Sequence, residues 1–173
     1  MTTPSIDPSL PPMLALTGGE REVLEAFLDF HRAMVTRKAL GLSDQDIRRR
    51  HVPSLTTLGG LLKHLTIVER NWFRRVLAQD PTMGPPTQED ADGSFMLDAE
   101  DTLDTLVAAY GEACAESRRI AAEFPLDHVV PHAELGQVSL CWIYVHMIEE
   151  TARHAGHADI LRELTDGVTG AVV

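Results

Sequence analysis

Late in the chain the sequence reads Trp142-Ile-Tyr-Val-His146-Met-Ile-Glu-Glu150-Thr-Ala-Arg-His154-Ala-Gly-His157-Ala-Asp-Ile-Leu. Wound as a helix at about 100° per residue, His146, Glu150, His154 and His157 fall within about 80° of one another. Trp142, Ile143, Ile160 and Leu164 share that arc, so three imidazoles and a carboxylate interrupt a stripe predicted to face the core. Ionisable groups placed there are costly unless paired or bound to a metal. Glu150 and His154 are one turn apart, the relation by which an HExxH helix presents its two metal ligands. One helix does not easily complete a facial site, so a third ligand is expected from a neighbour. His64 stands at the edge of the apolar stripe Leu61, Leu65 and Val68 and can supply it. Two His and one carboxylate with open positions suit a catalytic Zn²⁺, or Fe(II) or Ni(II). Hydrogen-bonded core imidazoles are the competing reading. That reading explains a lone His on an apolar face better than four ionisable groups at helical spacing.

Other chemistries find less support. Glu149 and Arg153 read as a solvated pair. His31, His51, His128 and His132 have no spacing pattern and read as surface or loop residues. Cys114 and Cys141 lack a flanking basic motif and read as core or interface thiols. Gly18-Gly19 and Gly59-Gly60 lack the phosphate-loop motif, and Gly59-Gly60 reads as a point of close helix packing. A di-iron bundle would need Glu-x-x-His on two helices, and that pair is absent from the sequence. Trp72 and Trp142 read as core, although either could line a pocket beside the metal.

The elements that must position these residues are delimited by proline, which costs about 3 kcal/mol in a helix interior. The ten prolines leave four open stretches, 13–52, 54–80, 87–124 and 132–173. Thr17 with Glu20 predicts a capping box for the first helix, and Gly41 its end. Ser54, Thr56 or Thr57 can cap the second, Asp98 the third and Ser139 the fourth, with Gly167 closing the last. Apolar stripes agree: Val23, Leu24, Phe27, Leu28, Met34 and Val35; Leu58, Leu61, Leu65, Val68 and Trp72; Leu103, Leu106, Val107 and Tyr110; Trp142, Ile143, Met147, Ile160, Leu161 and Leu164. Four amphipathic helices of this length predict an all-α, four-helix bundle. Residues 80–97 form a long connection, and 125–138 a shorter one with room for a short strand. Residues 1–14 and 167–173 read as tails on one domain spanning 15–166.

Composition restricts the partners. The chain has 173 residues, with 44% apolar and 24% charged, ordinary values for a globular domain. Acidic residues number 26 against 15 basic, for a formal charge of −11, which disfavours a nucleic-acid partner or an anionic membrane. No apolar run approaches the roughly 20 residues of a membrane span. Residues 1–12 lack the pattern of a secretory signal, and two cysteines are too few for a disulfide framework. A reduced, cytoplasmic protein is expected.

The segments Leu61-Leu62-Lys63-His64-Leu65 and Glu150-Thr-Ala-Arg-His154-Ala-Gly-His157 resemble a signature of the DinB-like superfamily: a second-helix His, then H-x-x-x-H-R-G-Q. That superfamily includes the mycothiol- and bacillithiol-dependent S-transferases. Val68-Glu69-Arg70-Asn71-Trp72-Phe73 and the run from His146 to Asp159 look most like an actinobacterial branch of unassigned function. The resemblance covers about residues 15–166. It implies a DinB-like four-helix bundle holding a divalent metal at one end, with His64, Glu150 and His154 as ligands. Most members have His where Glu150 stands. The mycothiol-dependent maleylpyruvate isomerase branch has the same His, Glu, His triad. His157 stands where many relatives have Gln, as a substrate-facing or supporting group or an alternative ligand to Glu150.

The activity implied is a metal-dependent thiol S-transferase, with zinc as the first choice of ion and nickel or iron as alternatives. A low-molecular-weight thiol such as mycothiol would be the co-substrate and a small electrophile the acceptor. His146 or His157 would carry the proton. A metal-dependent hydrolase or isomerase on the same scaffold, or a binding protein without catalysis, are the alternatives. The resemblance and the aromatic surface offered by Trp72, Trp142 and Tyr144 suggest a homodimer.

Overall fold

The computed structural model describes residues 15–84 and 93–170. The expected tail 1–14, Pro85 and Pro86 of the long connection, and the last three residues of the C-terminal tail lie outside the described residues. Helix α1 spans Glu20–Ala39, and a short 3₁₀ turn follows at Asp46–Arg48. Helix α2 spans Leu58–Glu69 and continues as π-helical turns through Arg70–Leu77. Helix α3 is Leu103–Ala121, strands β1 and β2 are Val129–His132 and Gly136–Ser139, and helix α4 is Leu140–Asp166. The described chain is thus mostly helical, with one antiparallel hairpin pairing Val129 with Ser139 and His132 with Gly136.

Some caps fall where sequence signals put them. Thr57 accepts from Gly60 N at 3.0 Å, and Ser139 accepts from Trp142 N at 3.1 Å. Gly167 closes α4 at φ 77°, a left-handed conformation that glycine adopts without a Cβ penalty. Two caps differ. The N-cap of α1 is Gly19 and carries no side-chain bond, so Thr17 and Glu20 form no capping box. The cap of α3 is Thr102, in a reciprocal box with Thr105, because Asp98 is drawn to Lys63 at 2.7 Å. The helices are accordingly shorter than the proline-free stretches, and the first stretch gives up its second half to a loop and the 3₁₀ turn.

Helix α1 packs along α4, and α2 along α3. Hairpin strand β1 rests on the π-helical turns, and β2 runs directly into α4. Two apolar clusters fill the interior. One gathers Val35, Ile47, Leu61, Leu65, Leu106, Ala158 and Leu161; the other gathers Leu28, Phe73, Val76, Val130, Leu140, Ile143 and Met147. Between them lies an ion pair. Arg32, one turn from both Leu28 and Val35, donates Nε and Nη2 to the two oxygens of Glu69 at 2.8 and 2.6 Å. Glu69 is fully buried and Arg32 nearly so. Burial pulls the guanidinium down, but Glu69 and Asp29 more than offset this and hold it charged.

Tyr144 and Trp72 are buried, and the Tyr144 hydroxyl donates to Glu25 at 2.9 Å. Of the three aromatics that suggested a homodimer, Trp142 alone keeps substantial exposure, at 41%. No helix among the described residues is long and apolar enough to cross a membrane.

Removing one partner of a buried ion pair strands the other charge, at a cost of about 3–5 kcal/mol. Glu69→Leu is therefore expected to lower the urea midpoint sharply at neutral pH. The double variant Arg32→Met with Glu69→Leu should recover most of that loss. A double variant as unstable as the single one would mean that the pair acts through more than its charges.

Candidate metal centre

The fourth-helix spacing and the second-helix histidine meet in space. His64 Nε2 lies 3.3 Å from Glu150 Oε1, and His154 Nε2 lies 3.1 Å from the same oxygen. One ligand atom from each of the three residues falls within 4.8 Å of the others. Donors about 2.0–2.2 Å from a shared ion stand roughly 3.0–3.4 Å apart, between octahedral and tetrahedral arrangements. The two contacts to Glu150 have that spacing, so this donor set fits a divalent ion of zinc-like size. Hydrogen bonds from His154 and then His64 hold the Glu150 carboxyl well below the usual carboxylate range, outweighing its partial burial.

Each imidazole is oriented from behind. His64 Nδ1 is 2.9 Å from Ser94 Oγ, and Phe95 stacks on the His64 ring with centroids 4.1 Å apart and planes 13° from parallel. Ser94 and Phe95 belong to the long connection, which the sequence marked only as irregular. Gly59 and Gly60 bring it there. A Cβ on Gly60 would meet Phe95 O at 2.6 Å, and one on Gly59 would meet Leu97 Cδ1 at 2.7 Å. The glycine pair therefore admits a crossing loop, and the close helix packing expected from it is replaced by that contact. His154 is held from the other side: its Nδ1 is 3.4 Å from His157 Nδ1. His157 lies beside the cluster, against the outer nitrogen of His154, and outside the three converging ligand atoms.

His146, one turn before Glu150, joins an aromatic group instead. Its ring stacks on Trp142, with centroids 5.2 Å apart and planes 10° from parallel, and lies 4.5 Å from Trp72. Burial there lowers the His146 pKa, against the opposing pull of Glu150. His132, expected on the surface or in a loop, is in β1 and stacks on Trp72 at 5.3 Å. His31, also expected there, lies within α1 against Phe30, and His51 pairs with Thr165 at 2.9 Å. Glu149 and Arg153 form an exposed pair. Cys114 is buried, and burial above all pushes its thiol up to about 12. Cys141 is partly exposed beside Glu20.

The core face of α4 is rotated from the one expected and takes in His154, which is buried. Leu140, Ile143, Met147, Thr151, Ala155, Ala158 and Leu161 are buried, whereas Trp142, Ile160 and Leu164 are 41%, 59% and 53% exposed. The stripe keeps His154 within it but leaves Glu150 at its margin, partly open to solvent, and His157 exposed beyond it. This removes much of the desolvation cost that a fully buried carboxylate would carry.

Gly60→Ala tests the crossing loop. Alanine favours the helix by roughly 0.5–1 kcal/mol over glycine, so α2 should persist. Its Cβ must displace the Phe95 carbonyl, and hydrogen exchange across residues 93–97 should rise. Unchanged exchange there would refute the close contact.

A family model described as Mycothiol-S-transferase matches residues 23–167, from the first turn of α1 to Gly167. The match includes His64, Glu150 and His154. No curated protein matches the chain.

Proposed function

The chain belongs to the mycothiol S-transferase family, and from that premise we propose a metal-dependent transfer of a low-molecular-weight thiol, mycothiol first, to a small electrophile. In this reading residues 15–166 form one four-helix bundle of the DinB-like type, acting in the cytoplasm. His64, Glu150 and His154 hold the divalent ion, with zinc the first choice and nickel or iron alternatives. The observation that carries the reading is the convergence of two imidazole Nε2 atoms on one Glu150 oxygen at 3.1 and 3.3 Å.

When bound, such an ion lowers the pKa of a thiol at an open position and so makes a thiolate available near neutral pH. Three protein ligands suit that task, because a structural zinc is closed by four. The chain's own residues orient and exclude. Ser94 holds His64 Nδ1, which leaves Nε2 to face Glu150. His157 engages His154 Nδ1 and leaves its Nε2 likewise directed inward. Phe95 covers the His64 ring and sheds water from that side. In the transfer the thiol S–H bond breaks and an S–C bond forms, while the leaving group departs with its electron pair. His146 accepts the proton. Burial lowers its pKa and so favours the neutral ring, and no hydrogen bond among the described residues occupies its nitrogens. His157 is a positioning residue in this scheme, since its Nδ1 is turned to His154.

Elemental analysis joined to a thiol-dependence screen tests the reading. The purified protein should retain about one equivalent of divalent metal and consume an electrophile only when mycothiol is supplied. Turnover without thiol would point to a hydrolase on the same ligands. Metal without turnover would point to a binding protein.

Two variants separate the roles. His154→Ala should abolish metal retention, whereas His157→Ala should keep the metal and alter activity. If His157→Ala strips the metal as completely, the open-site scheme is wrong. His146→Phe preserves an aromatic ring against Trp142 and should keep the metal while lowering kcat by about 10²-fold, the loss typical of a missing proton acceptor.

A further inference from the structure

Beside His157, away from Glu150, lies a pocket of about 360 Å³ lined by Val52, Ser54, Thr56, His157, Ile160 and Leu161. Leu161 is buried, while Ile160 and Val52 are 59% and 38% exposed. Isolated exposed apolar side chains are ordinary; these two border one cavity. Its polar groups are few. Ser54 donates its hydroxyl to that of Thr56 at 3.0 Å, which takes up part of their capacity. His157 turns Nδ1 toward His154 at 3.4 Å. One side chain therefore separates the cavity from the candidate metal ligands.

We propose that this pocket binds the hydrocarbon body of an apolar electrophile, whose reactive carbon extends past His157 to the His64, Glu150 and His154 cluster. The inference rests on the S-transferase reading for the reaction but on the cavity alone for the ligand class. A thiol carried on a sugar brings many hydroxyls, and each costs free energy when buried without a partner. Two hydroxyls that already share one bond and the remaining nitrogen of His157 supply few partners for them. An apolar body asks for no such partners. The volume is at the lower end of small-molecule sites, which run from about 300 to 1,000 Å³, and suits a molecule of one or two rings.

The experiment uses the metal-loaded protein, mycothiol and two electrophiles, the bicyclic monobromobimane and the small polar chloroacetamide. In each reaction the thiol sulfur bonds to carbon, the carbon–halogen bond breaks, halide leaves with the electron pair, and the S–H proton passes to His146 and then to water. Ile160→Gln is expected to lower the ratio of kcat/KM for monobromobimane over chloroacetamide about tenfold, mainly through KM for monobromobimane. A parallel amide-resonance titration with unreactive benzyl alcohol should move Val52, Ile160 and Leu161, and the variant should abolish those shifts. An unchanged ratio with benzyl alcohol shifts elsewhere overturns the proposal. Resonances at these residues that move on dilution and not with benzyl alcohol also overturn it, because a second copy of the chain would then cover this face. If no electrophile reacts with thiol but benzyl alcohol still binds at these residues, the transferase reading fails and the apolar ligand site stands.

Discussion

Two imidazoles turned toward a single carboxylate oxygen impose a condition on every element around them. An Nε2 faces Glu150 only if the ring is fixed, and a ring is fixed when its other nitrogen is engaged. For His64 that partner is Ser94, which is 30 residues away in sequence, so the long connection must cross α2. It can cross only where side chains are missing, and Gly59 and Gly60 are the positions where they are missing. The same loop delivers Phe95 to the face of His64. For His154 the partner is His157, less than one turn further along the same helix, and no crossing is needed. The cluster thus draws one orienting group from tertiary structure and one from helical spacing.

That difference explains what could be read from the sequence. The relation of Glu150, His154 and His157 follows from 3.6 residues per turn and needs no fold. His64 was legible as the histidine on the margin of a neighbouring stripe. Ser94 was not, because an irregular segment of Gly, Asp, Pro and Ser carries no period. The buried pair of Arg32 and Glu69 was equally hidden, since an Arg in α1 and a Glu in α2 look like solvated helix residues until the helices meet. The caps divide in the same way. Ser139 and Thr57, the latter one of three candidates for its helix, act locally and were legible, while Asp98 was taken from its expected cap by Lys63, 35 residues away. The rotation of the α4 stripe has a related cause. Small residues at Thr151, Ala155 and Ala158 carry little hydrophobic signal but allow close packing, so the buried face runs through them and leaves Ile160 and Leu164 outside.

The ion pair between the apolar clusters has its own consequence. A hydrophobic pair of similar size would serve stability as well or better, because desolvating two charges costs several kcal/mol. What the charges provide is register. Arg32 Nε and Nη2 meet both oxygens of Glu69 in a two-pronged geometry that tolerates little sliding of α1 along α2. Glu69 is the last residue of regular α-helix before the π-helical turns. The register therefore changes just past a fixed point, and Trp72 enters the His146 and His132 stack from the altered segment. A π segment in a helix that carries a functional residue is a recurring arrangement. Here it places the aromatic group on the hairpin side of Glu150.

Opposite sides of the cluster consequently differ in character. Toward the hairpin stand His146, Trp142 and Trp72, a stacked group whose imidazole has its pKa lowered by burial. Toward the end of α4 stand His157 and the apolar cavity. A transferase must admit two reactants and remove one proton, and two unlike flanks serve this better than one symmetrical pocket. If His157 were a fourth ligand, its ring would have to leave His154 Nδ1 and reach back along the helix, about 10 Å of rise from Glu150. The contact it actually makes, Nδ1 to Nδ1, does the reverse: it steadies a three-residue cluster and presents the rest of its ring to the cavity. The openness that the proposed transfer would need thus follows from the spacing of α4, because the residue best placed to close the cluster is already turned to orienting one of its members.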